Sequence, residues 1–244
     1  MSTPSGGGRD LSIAQTALQV VLIGLIFMCW STPFIQPIKL MVVLLHEMSH
    51  GLMALASGGT VYDIVITPEE GGSCRSDGGN AALIAAAGYL GSMFFGGMIL
   101  RASRGGAGVP VAYALLTLLL RGAAVTVLHD SYSRTFALTL SGLFIFLGLI
   151  APTFVGAFGL RAMGTVSCLY AIFDIYSDIL AGGGGSEKIE NDAQTFSNLT
   201  GLPVGGVGLA WFLVSVLFFI AILKASLETA PARPAPNSTA VSKA

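Results

Sequence analysis

The sequence predicts an all-α polytopic membrane protein of six or seven transmembrane helices, with a short β-hairpin or strand after the second. Three observations predict it. Of 244 residues, 53% are hydrophobic and only 10% charged, with a mean hydropathy of +0.77, whereas a soluble domain carries about 25% charged residues. The apolar residues fall into runs of about twenty, the length that carries a helix across roughly 30 Å of hydrocarbon. Clusters of Gly, Pro and polar residues separate the runs. The lipid bilayer is therefore the expected surrounding. A net charge of -1 gives no basis for a nucleic-acid partner, and nothing in the composition sets an oligomeric state. Cys29, Cys74 and Cys168 are far apart with no CxxC, so they form neither a disulfide framework nor a zinc knuckle.

Met1–Asp10 is rich in Ser, Gly and Pro and reads as a disordered tail. Leu11–Trp30 is an uncharged first span with Trp30 placed to anchor at an interface. Ser31–Pro37 holds two prolines and reads as a turn. The second run, Ile38–Ser57, closes at Gly58-Gly59, a helix C-terminal signal. Thr60–Thr67 (TVYDIVIT) is β-branched and reads as a strand, and the polar Pro68–Gly79 as a loop or the return of a hairpin. Asn80–Leu100 is a third span whose Gly88, Gly91 and Ser92 let another helix come close. Arg101–Gly108 is a basic turn. The fourth, fifth and sixth spans are expected at Val109–Leu128, Phe136–Phe158 and Met163–Ala181, the sixth weakened by Asp174 and Asp178 and ended by Gly182–Gly185. A polar loop, Ser186–Gly201, precedes the last span, Leu202–Leu223. The organisation expected is one membrane-embedded domain, 11–227, between disordered tails at 1–10 and 228–244.

The chemistry concentrates in His46-Glu47-Met48-Ser49-His50, inside the second span. Residues four apart share a helix face, so two imidazoles stand side by side with a carboxylate one step around. That is the arrangement of two zinc ligands and a general base. Ionisable groups in an apolar span cost roughly 2.5–3.5 kcal/mol on insertion scales and mark function. A catalytic zinc takes three protein ligands and leaves one position open. The candidates for the third are Asp174, Asp178, Asp192, His129, Asp130 and Asp63. Asp174, flanked by Leu169–Phe173 and Ile175-Tyr176, is the most deeply apolar carboxylate and is the expected ligand. Asp178, one turn on, is the alternative ligand or a hydrogen-bond acceptor for a ligand His.

Several segments together carry a family resemblance: HEMSHGLMALASGG, the strand TVYDIVIT leading into PEEGG, AAAGYLGS, the Tyr170–Asp178 stretch, Asn191-Asp192-Ala193, and Thr200-Gly201-Leu202-Pro203 before a Trp-containing helix. Over Val42–Leu223 the chain resembles the site-2 protease family of intramembrane zinc metallopeptidases, in its compact branch without a PDZ insertion. The resemblance implies Zn²⁺ as cofactor, a transmembrane protein as substrate, and hydrolysis of a peptide bond in or near its membrane segment. His46 and His50 would hold the metal and Glu47 would act as base. Many members supply the third ligand from an Asp-Gly motif on a late helix, and none occurs here in a late span. The role therefore falls to Asp174 by position and surroundings.

A transmembrane substrate must unwind before its amides can react, and an exposed strand could hold it by β-augmentation. Val61, Ile64 and Ile66 on Thr60–Thr67 are the candidates for that contact. Two other functions fit the same residues. A pseudoprotease would bind membrane clients without cutting them. A metal or solute transporter would use the His and Asp groups as a transport site, although no internal repeat of the kind common in transporters is present.

Overall fold

A computed structural model of the chain describes residues 7–180 and 191–227. It contains α1 (Gly7–Cys29), α2 (Gln36–Ala56), β1 (Thr60–Ile66), β2 (Gly72–Asp77), α3 (Ala81–Ala102), α4 (Gly108–Thr126), α5 (Ser131–Leu149), α6 (Thr153–Ile175), α7 (Asp192–Thr200) and α8 (Val204–Leu227), with a π-helical turn, Tyr176–Leu180, extending α6. Six helices (α2, α3, α4, α5, α6 and α8) are long and apolar enough to cross a bilayer, and α1 has a shorter apolar stretch, Ile13–Cys29. The protein is thus a multi-pass membrane protein, largely helical, with one two-stranded antiparallel sheet among the described residues.

Two expectations shift. The fifth and sixth runs divide at Pro152 rather than after Phe158. Proline disfavours helical backbone in the residue before it, so α5 stops at Leu149 and Pro152 caps α6. Asp130 begins α5 by accepting a hydrogen bond from the Ser133 amide at 2.8 Å, an N-cap that satisfies an otherwise orphaned donor. The polar stretch read as a loop contains α7. Asn191 caps it by accepting from the Gln194 amide at 2.9 Å, and Gly201 ends it at φ 74°. The tail over 228–244, the glycine-rich stretch 181–190 and residues 1–6 lie outside the described residues, while α1 already begins at Gly7.

α2 sits at the centre of the bundle; 72% of its apolar window is buried, against 22% for α8. It runs antiparallel to α3, with Ser49 against Gly91 and His50 against Ile84. α3 in turn packs antiparallel on α6, where a Cβ at Gly96 would meet Ser167 and one at Gly164 would meet the Leu100 backbone. Small residues give this approach, as lipid-embedded helices require. α1 is tied to α6 by polar groups: Gln19, 1% exposed, donates to Thr165 Oγ1 at 3.0 Å and accepts from Arg161 at 3.4 Å.

The hairpin lies along α2. Its register pairs Ile64 with Cys74, Val65 with Ser73 and Ile66 with Gly72, with a bulge between Val61 and Asp63. The amides of Ile64 and Ile66 point away from β2, donating to Val127 O at 2.9 Å and Ser133 Oγ at 2.8 Å. The α4–α5 connection therefore covers the outer edge of β1. In an antiparallel ladder the opposite residues, Cys74 and Gly72, then also turn their backbone groups outward. The open edge of the hairpin belongs to β2.

Candidate metal centre

α2 places His46 and His50 on one face, 4.9 Å between ring centroids. α7 brings Asp192, its first residue, onto that pair. Asp192 Oδ2 lies 3.0 Å from His46 Nε2 and 3.2 Å from His50 Nε2. The far side of the His50 ring is fixed: Nδ1 stands 2.7 Å from Ile84 O. A carbonyl can only accept, so Nδ1 carries a proton, and in the neutral ring the Nε2 lone pair faces the cluster. The His46 ring meets Tyr89 edge-on at 5.1 Å, and Tyr89 leans on Trp211.

These three atoms fit a metal. Asp192 Oδ2 is buried without a well-formed hydrogen bond although two imidazole nitrogens point at it. With both imidazoles neutral, lone pairs converge, and a cation between them would satisfy all three groups at once. Two imidazoles and one carboxylate are a zinc-type donor set with a position left open. Among the described residues, His46, His50 and Asp192 are the group able to hold a metal, their ligand atoms all within 4.8 Å of one another. Gly88 makes the room, since a Cβ there would overlap both Nε2 atoms and Asp192 Oδ2. Burial pushes the Asp192 carboxyl up, but hydrogen bonds and positive charge from His46 and His50, when the imidazoles are protonated, outweigh it and hold the group down to about 2.

Glu47, 7% exposed, borders the same cavity of about 400 Å³. Its carboxylate rests on Gly72, where any Cβ would overlap it. β2 lines the same cavity through Gly72, Cys74 and Ser76. Cys74 is a slow nucleophile in this setting: burial, then the charges of Glu47 and Asp63, push its thiol up to about 12, so little of it is thiolate.

The carboxylate brought to the histidines is Asp192, not Asp174. Asp174 lies partly buried near the end of α6 and is not in the metal-capable group. α7 docks on α3 through Ala193, 0% exposed, and so delivers Asp192 over Gly88. Burial in an apolar run is a poor guide to a carboxylate that arrives from a separate polar helix. The signal that could have found it is the capped helix itself, Asn191-Asp192 closed by Gly201. The side chain of Asp178 lies outside the described residues.

Of the strand candidates, Ile64 and Ile66 are 2% and 1% exposed, and Val61 and Ile64 face Gly51 on α2. They are hairpin core rather than an open edge, because the α4–α5 connection takes their side of the sheet. His129 and Asp130 mark the start of α5.

The sequence model of the family described as Peptidase M50B-like matches residues 19–222. No curated protein and no solved structure matches the chain.

Proposed function

The chain belongs to the Peptidase M50B-like family, the site-2 protease family of membrane metallopeptidases, and on that premise we propose that it is an intramembrane zinc endopeptidase that cuts a transmembrane protein in or near its membrane segment. The observation that carries this reading is the convergence of His46, His50 and Asp192 on one point beside Glu47.

His46, His50 and Asp192 would hold Zn²⁺, with Asp192 taking the role first assigned to Asp174. When bound, the ion supplies electrophilic assistance and acidifies water. Glu47 takes the proton from the attacking water and returns one to the leaving amine, and its burial against Gly72 keeps it facing the cavity. Ile84 holds His50 in the tautomer that presents Nε2. The scissile segment, once unwound, adds as a third strand along β2, where the outward backbone groups of Gly72 and Cys74 face the cavity. The small side chains along that edge leave space for those of the substrate.

The test is zinc content and cleavage of a membrane-embedded substrate by purified protein. Glu47→Gln should keep zinc and lose cleavage by about 10²-fold or more, and cleavage at the wild-type rate would end the general-base role. A wild-type chain that holds zinc yet cuts no membrane substrate would instead be the pseudoprotease.

A further inference from the structure

The proposed hydrolysis needs Glu47 held in place, and the residue it rests on, Gly72, belongs to the hairpin rather than to α2. Gly72 follows a turn closed by Thr67 N–H to Gly71 O at 2.8 Å and Glu70 N–H to Thr67 O at 3.2 Å. Two features of this region are costly on their own. Glu70 has φ 67°, the left-handed region that a side chain disfavours and a glycine adopts freely. Lys39 is a cation inside an apolar helix, 8% exposed.

Each accounts for the other. Lys39 Nζ donates to both Glu70 carboxylate oxygens, at 3.1 and 3.2 Å. Tyr170 donates its hydroxyl to Glu70 Oε2 at 3.4 Å, and the Lys39 ammonium lies 4.9 Å from the Trp30 ring centre. Gln36 donates to Pro68 O at 2.8 Å. A glycine at 70 would suit the backbone better but would leave Lys39 with no carboxylate partner among the described residues. Side chains of α2 and α6, with Trp30 from the turn between α1 and α2, thus converge on the turn that leads directly into Gly72.

We propose that the Lys39–Glu70 ion pair is a latch that pins the hairpin turn to α2 and, through Gly72, holds the Glu47 carboxylate in the cavity. Lys39 and Glu70 are then positioning residues for the proposed hydrolysis, an assignment that rests on reading Glu47 as the base. Loss of the pair frees the turn, lets Gly72 lift, and leaves the carboxylate without its wall while the three metal-capable groups stay as they are.

Glu70→Gly tests this, because it relieves the backbone while removing the latch. The full-length protein is assayed in membranes for kcat, KM, zinc content and the rate at which a maleimide alkylates Cys74, in a Cys29→Ser, Cys168→Ser background. The latch gives a kcat lower by about 10- to 100-fold, the scale of an ångström-level misplacement, with zinc content and KM unchanged and Cys74 alkylated faster. Lys39→Met behaves the same way, and Lys39→Arg, which keeps the pair, retains most of kcat. A purely structural turn gives Glu70→Gly a wild-type kcat and wild-type alkylation, and that result overturns the proposal. If the wild-type chain cuts nothing, the hydrolysis reading falls by itself. The alkylation arm then decides the latch alone: acceleration supports it and an unchanged rate overturns it.

Discussion

Two glycines shape the candidate site as much as its ligands do. Gly88 leaves a bare Cα against His46, His50 and Asp192, and Gly72 leaves one against Glu47. Gly88→Ala should favour helix α3 by about 1 kcal/mol on propensity alone, yet it should lower zinc affinity sharply, read by competition with a chromogenic chelator. Gly72→Ala should leave zinc in place and reduce cleavage, because its methyl group takes the space of the Glu47 carboxylate; unchanged kcat would mean that the contact does not matter. Residues such as these show where the sequence was legible. HEMSH could be read directly because two imidazoles and a carboxylate sit within five residues of one helix, so local geometry alone puts them together. Gly88 could not be read as the neighbour of Asp192, since its contacts come from both α2 and α7.

The same contrast holds for elements. The hairpin was visible in TVYDIVIT and the polar return after it, but its open edge was not. Which strand is covered depends on Val127 O and Ser133 Oγ, at either end of the α4–α5 connection, accepting from the Ile64 and Ile66 amides, a tertiary event with no local signature. α7 was missed for a related reason. A helix of nine residues is too short to be stable alone; it persists because Ala193 is buried and Phe196 packs edge-on against Trp211 at 5.4 Å. Its polarity made it look like a loop, and its Asp192 look like a loop residue. Since the cap at Asn191 helps hold the helix that carries Asp192, Asn191→Ala should cost that helix about 1 kcal/mol. That predicts zinc binding weaker by several-fold at most, checked by the same chelator competition; a complete loss would point to a more direct role for Asn191.

At the scale of the molecule, the composition and the apolar runs were enough for a multi-pass helical membrane protein, while the Pro152 boundary, α7 and the covered edge of the hairpin needed the structure. Buried polar groups in so apolar a chain find partners on other elements: Lys39 with Glu70, Arg161 with Gln19, and Asp192 beside the imidazole pair. α7 packs on α3 and α8, and reaches α2 through the His–Asp cluster. A bound metal should therefore stabilise the whole fold, as any ligand of the native state does. Removing it with a chelator in detergent should lower Tm and adding Zn²⁺ should restore it, whereas an unchanged Tm would disconnect metal from fold. The central claim, that Asp192 completes the centre with His46 and His50, is tested most directly by the zinc content of two purified variants. Wild type should carry about one zinc per chain, as a three-ligand catalytic site does; Asp174→Ala should match it and Asp192→Ala should carry almost none. Zinc kept in Asp192→Ala and lost in Asp174→Ala would contradict the account.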